Sequence, residues 1–155
     1  MTLPRRAVLA LGLAATLGAC TGPRRKTAPG KAGLSGGETP EMRLLVNKYA
    51  AEYQMPASLI DRVIRRESGY NPAARNGPYW GLMQIMPQTA RTMGHRGAPE
   101  SLLDAETNLK YAGKYLRGAW MVSDGSEDRA VMWYSKGYYY EAKRRGMLKE
   151  TGLRG

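Results

Sequence analysis

Residues 57–67 read ASLIDRVIRRE, and residues 68–90 continue SGYNPAARNGPYWGLMQIMPQTA. The first stretch is helical by its spacing. Turning about 100° per residue from Ile60, Val63 lies near −60°, Ile64 near +40° and Glu67 near −20°. Asp61, Arg62, Arg65 and Arg66 fall on the opposite half. The pattern therefore puts a carboxylate in the middle of the apolar stripe, in the last turn. Desolvation there disfavours the charged form and raises the pKa, and the negative end of the helix dipole acts in the same direction. A carboxylic acid that keeps its proton near neutrality can serve as a general acid. A buried glutamate paired with one of the many arginines is the alternative that periodicity leaves open.

The surrounding pattern is helical too. Thr39 is a capping residue ahead of Pro40 and Glu41, and Met42, Leu45, Val46, Tyr49, Ala50 and Tyr53 recur at helical spacing. A second helix is predicted from near Pro56 to about Ser68, where Gly69 and Asn71-Pro72 end it. A third begins at Pro87 and ends at Gly94. A fourth covers about Asp104 to Trp120, with Asp104 as its cap. A fifth is capped by Ser126, runs through Ser135 and breaks at Gly137; a last one lies in YYYEAKRR before Gly146. No segment alternates strongly enough to claim a sheet. The fold class predicted is mainly α, over residues 40–150.

The first forty residues have another character. Arg5 and Arg6 precede an apolar run from Ala7 to Gly18 and then small residues, the order of an export signal over 1–19. The run is too short to span a bilayer comfortably. Leu17-Gly18-Ala19-Cys20 resembles a bacterial lipobox, which implies lipidation at Cys20, and Thr21 after it resembles the outer-membrane sorting pattern. General secretion is favoured over twin-arginine export, because Pro4 stands where a polar residue is usual. Residues 20–39, rich in glycine and proline, are expected to be a disordered tether reaching about 25 Å as a coil.

Lys and Arg number 24 against 13 Asp and Glu, a formal charge of +11; removing 1–19 takes away two arginines and no acid, leaving +9. Such an excess suits a polyanionic partner, and export argues against nucleic acid. One cysteine and one histidine, His95, exclude a disulfide framework and multi-cysteine or multi-histidine metal sites. No metal or other cofactor is expected. His95, in GHRGAP, is read as a solvated loop residue.

The motifs in and around the quoted stretch carry a family resemblance. Glu67-Ser68, Asn71-Pro72, Gly81-Leu82-Met83-Gln84-Ile85-Met86-Pro87, Thr89-Ala90, Asn108-Leu109 with Tyr115-Leu116, and Tyr134 with Gly137 together resemble the lytic transglycosylases of the soluble (SLT) type, relatives of goose-type lysozyme. The resemblance implies a lysozyme-like helical domain with a cleft for peptidoglycan glycan strands. It also implies cleavage of the β-1,4 bond between N-acetylmuramic acid and N-acetylglucosamine with 1,6-anhydro closure, Glu67 acting first as acid and then as base. Ordinary glycosidases need two carboxylates; here the C6 hydroxyl of the substrate replaces the second. Asp61 points away from Glu67 and Asp104 reads as a cap, so neither is taken as a partner.

By the same resemblance Ser68, Asn76, Gly81, Met83, Gln84, Tyr115 and Tyr134 are substrate-binding candidates. Gly81 would let backbone approach the sugar, Gln84 would hydrogen-bond it, Met83 would pack on a ring face, and the Tyr134 hydroxyl would reach the glutamate or the acetamido group. Core packing is favoured for Tyr115. Two departures stand out: Asn76 takes the place of a family serine, in a loop one residue shorter, and the family's Tyr-Asn-Ala-Gly reads Tyr134-Ser135-Lys136-Gly137. The implied protein is a monomer, periplasmic and anchored by lipid to the outer membrane of a Gram-negative cell. A muramidase that admits water and a non-catalytic peptidoglycan-binding protein are the alternatives.

Overall fold

The computed structural model describes residues 37–154. The expected signal over 1–19, Cys20 and nearly all of the tether lie outside the described residues. Among the described residues six α-helices follow one another: α1 (Pro40–Glu52), α2 (Ala57–Glu67), α3 (Pro87–Thr92), α4 (Ala105–Met121), α5 (Glu127–Lys136) and α6 (Tyr139–Arg144). The mainly helical class expected from the sequence is the class observed. Between α2 and α3 lies a hairpin of two short strands, β1 (Arg75–Asn76) and β2 (Tyr79–Trp80), paired antiparallel. A 3-10 turn, Pro99–Leu103, leads into α4.

The caps form as their residue types require. Thr39 Oγ1 accepts from the Met42 N–H at 3.2 Å, Asp104 Oδ1 from the Thr107 N–H at 2.8 Å, and Ser126 Oγ from the Arg129 N–H at 3.3 Å. Each satisfies a donor that the first helical turn would leave open. The long helix α4 contacts α1, α3, α5 and the 3-10 turn, while α2 contacts α1 and α5. Its core face, Leu109, Ala112, Leu116 and Ala119, is fully buried. Gly118 is what brings Tyr138 against α4: a Cβ there would lie 2.2 Å from the Tyr138 hydroxyl oxygen, which donates instead to the Tyr115 carbonyl at 2.8 Å. Among the described residues no helix is long and apolar enough to cross a membrane.

Two sequence expectations are corrected. Asp61 belongs by spacing to the polar half of α2, yet it is buried. Oδ1 accepts from Arg43 Nη2 at 3.0 Å and from the Tyr70 hydroxyl, and Oδ2 pairs with Arg65. The reason is that α2 is covered on a second side. Tyr70 folds back from the loop after the helix, and Arg43 of α1, paired also with the buried Glu38, closes over it. His95 is likewise buried rather than solvated. Its Nε2 lies 2.8 Å from Ser101 Oγ and its ring meets Tyr111 edge-on, and burial, helped by Arg91 and Arg96, lowers its pKa.

Removing Asp61 takes from Arg43 one of its two carboxylates and leaves the buried Tyr70 hydroxyl without its acceptor. Asp61→Ala is expected to destabilise the domain by about 3 kcal/mol, read as a lowered urea midpoint with an unchanged m-value.

Candidate active site

The stretch from Trp80 to Ile85 is a tight turn closed on itself. Trp80 and Ile85 exchange backbone hydrogen bonds, each 3.1 Å, and Gly81 and Gln84 both take positive φ, 77° and 50°. Three side chains from three separate elements hold this turn. Ser68, at the end of α2, donates to the Leu82 carbonyl at 2.7 Å. Tyr134, on α5, donates to the Met83 carbonyl at 2.8 Å. Asn108, on α4 and fully buried, accepts from the Met83 N–H at 2.9 Å and donates to the carbonyls of Trp80, at 2.9 Å, and Leu102, at 2.8 Å.

The turn forms one wall of a groove whose two halves meet. The first half, about 220 Å³, contains Glu67, Arg66, Asn76 and Ser135, with Tyr79, Gln84 and Tyr134. The second, about 250 Å³, shares Tyr79, Gln84, Tyr134 and Ser135 and adds Thr89, Tyr115, Lys136 and Gly137 among others. Among the described residues Glu67 is the only acidic one lining either half. Its side chain is 23% exposed and its ion pair is a loose one, 3.7 Å to Arg66 Nε. Burial raises the Glu67 pKa above the ordinary 4.5, and the Arg66 charge opposes this only in part. Tyr134 is buried beside it, and its hydroxyl is pushed well up, by burial first and then by the charges of Glu67 and Tyr115. The Asp61 carboxylate is held by its cations and Asp104 caps α4.

The seven residues suggested as substrate contacts separate into two groups. Asn76, Gln84, Tyr115 and Tyr134 line the groove. The Gln84 amide nitrogen donates to the carbonyls of Ala74 and Gly81, at 3.1 and 2.9 Å, which leaves its oxygen as the group offered to a ligand. The Tyr115 ring packs edge-on against Tyr134, at 5.4 Å.

The other three are turned inward. The Met83 side chain is fully buried and has no free face for a sugar ring. Gly81 faces the interior: a Cβ there would fall 2.2 Å from Asn108 Nδ2 and from the Leu102 carbonyl, so its missing side chain serves core packing rather than a saccharide. The Ser68 hydroxyl spends its proton on the Leu82 carbonyl, and the Tyr134 proton goes to Met83 rather than to Glu67. Asn108 and Tyr79 were not foreseen in these roles. Asn108 sits four residues before Ala112 and eight before Leu116, so it is a polar residue on a core face, the same signal that singled out Glu67. Tyr79 is 44% exposed on the hairpin and touches both halves of the groove, a position suited to stacking on a sugar ring.

Comparison with known proteins bears on the same segment. The family model for the transglycosylase SLT domain matches residues 44–149. The chain is 33% identical over 118 residues to the membrane-bound lytic murein transglycosylase F of Shewanella woodyi, an alignment covering 68% of this chain and 24% of that protein. It is 35% identical over 81 residues to the soluble lytic murein transglycosylase of Escherichia coli K12, covering 47% of this chain and 12% of that protein. The chain thus spans a quarter or less of the length of these curated relatives.

Two outcomes follow from this geometry. Because the Glu67 pKa is raised on folding, its contribution is favourable below the ordinary 4.5 and is lost as pH rises through the folded value. Glu67→Gln should therefore raise the melting temperature relative to wild type at pH 7, and the gain should vanish near pH 3.5. Asn108→Leu leaves the Met83 N–H and the Leu102 carbonyl without the partner Asn108 gives them and takes from the Trp80 carbonyl one of its two donors. It should lower unfolding free energy by about 3 kcal/mol or more, whereas Tyr134→Phe, which removes one bond, should lower it by about 1 kcal/mol; chemical denaturation checks both.

Proposed function

The chain belongs to the transglycosylase SLT domain family, and on that premise we propose that it is a peptidoglycan lytic transglycosylase in which Glu67 is the one acid and base. The observation that carries the reading is a single carboxylate, desolvated and loosely paired, on a groove lined by no second acid among the described residues.

Glu67 enters the reaction protonated and gives its proton to the oxygen bridging N-acetylmuramic acid C1 and N-acetylglucosamine C4. The C1–O bond breaks and the leaving sugar departs as an alcohol. Positive charge at C1 is sheltered by the 2-acetamido oxygen of the same ring. The Glu67 carboxylate then takes the proton of the C6 hydroxyl as O6 bonds to C1, which closes the 1,6-anhydro ring and restores the acid. The balance needs no water. Tyr134 keeps its hydroxyl proton on Met83 and presents a lone pair, and Gln84 presents its amide oxygen. Both are acceptors suited to substrate hydroxyl or amide donors, and Tyr79 supplies a stacking face.

The same proposal extends along the chain. Residues 1–19 are an export signal, Cys20 is lipidated, 20–39 are the tether and 40–150 the catalytic domain, which acts as a monomer in the periplasm from the outer membrane. The relatives' names, one membrane-bound and one soluble and both lytic murein transglycosylases, support murein as the substrate.

Digestion of purified murein tests the chemistry. Wild-type protein should release products ending in 1,6-anhydro rings, lighter by one water than reducing ends in the mass spectrum, and products with reducing ends alone would show hydrolysis instead. Glu67→Gln should lower turnover by about three orders of magnitude or more while retaining affinity for glycan.

A further inference from the structure

The groove carries a cation that the proposed chemistry does not use. Lys136 is the last residue of α5 and lines the second half of the groove, next to Gly137 and on the same wall as Tyr115 and Tyr134. Among the described residues it makes no ion pair, whereas Arg66, lining the first half, is paired with Glu67. The residue before it contributes no side-chain donor to this wall, because the Ser135 hydroxyl is bound to the Val131 carbonyl at 3.1 Å. Among the described residues the groove is lined by two cations, Arg66 and Lys136, against the one acid Glu67, so its lining is net positive.

A positive slot discriminates among glycans by what they carry. Strands of N-acetylglucosamine alone are neutral. Muramoyl residues bear on their 3-oxygen a lactyl arm that ends in a carboxylate, or in a stem peptide with carboxylates of its own. We propose that Lys136 is a specificity-determining residue that binds a carboxylate of the muramoyl 3-oxygen arm. The proposal rests on the reading of this groove as a glycan-cleaving site and names the feature of the glycan it selects. A lysine in a last helical turn also complements the helix dipole. That role would act on stability and would be blind to the charge of a ligand.

The experiment uses the mature chain in wild-type, Lys136→Met and Lys136→Arg forms, each also combined with Glu67→Gln for equilibrium binding. The probes are glycan strands with intact stem peptides, strands freed of peptide so that the lactyl carboxylates are exposed, and neutral oligomers of N-acetylglucosamine. Lys136→Met should weaken binding to at least one carboxylate-bearing probe by about tenfold, the value of one charge-assisted hydrogen bond. It should raise KM on that substrate to the same degree while leaving kcat within about twofold. Binding to neutral oligomers should stay unchanged, and Lys136→Arg should keep the preference. The probe that suffers identifies the carboxylate, lactyl or peptide. Equal weakening toward neutral oligomers, or no weakening toward either carboxylate-bearing probe, overturns the proposal. Because binding is read without turnover, failure of the catalytic reading and failure of the Lys136 reading give different results.

Discussion

One buried amide, Asn108, holds the cleft together. The turn from Trp80 to Ile85 has two positive-φ residues and few internal bonds, so its backbone groups must find partners elsewhere. Asn108 partners two of them from the first turns of α4 and ties the Leu102 carbonyl to the same amide, and Gly81 makes the approach possible because no other residue leaves room. Ser68 and Tyr134 then tie the same turn to α2 and α5. Glu67, Gln84 and Tyr134 are set relative to one another through this short piece of backbone. The site is thereby built on helices that form the core, and its geometry carries the rigidity of that core.

The electrostatics follow from where the polar groups are spent. Asp61 is consumed by Arg43, Arg65 and Tyr70, Asp104 by the start of α4, and Ser68 and Ser135 by backbone carbonyls. What remains on the groove, among the described residues, is one carboxyl group, largely shielded from solvent, with Arg66 and Lys136 as the cations of the lining. The two-carboxylate chemistry of ordinary glycosidases needs a second carboxyl group, and in the proposed reaction the C6 hydroxyl of the substrate takes its place. Raising the pKa of Glu67 serves both halves of such a reaction, since a weaker acid is also a stronger base on the return step.

Much of this was readable from residue order. The helices and their caps at Thr39, Asp104 and Ser126 follow from spacing and residue type, and so does the partial burial of Glu67 at the end of α2. The hairpin was not readable, because strands of two residues have no alternation to detect. Met83 and Gln84 illustrate a second limit. They are neighbours in one turn, and only the backbone, with φ of 50° at Gln84, decides that the amide lines the groove and the thioether the core. Asp61 and His95 show a third: spacing along one element says which face is apolar but not how many faces are covered, and both residues lie beneath segments that fold back over them.

The central claim is that burial keeps the Glu67 carboxyl protonated above the range of a solvated glutamate. Carbon-13 NMR of the side-chain carboxyl, followed across pH in the folded wild-type chain and assigned by its loss in Glu67→Gln, measures it directly. A midpoint clearly above 4.5 is the result this account predicts. A midpoint at or below 4.5, with the fold intact, would contradict it.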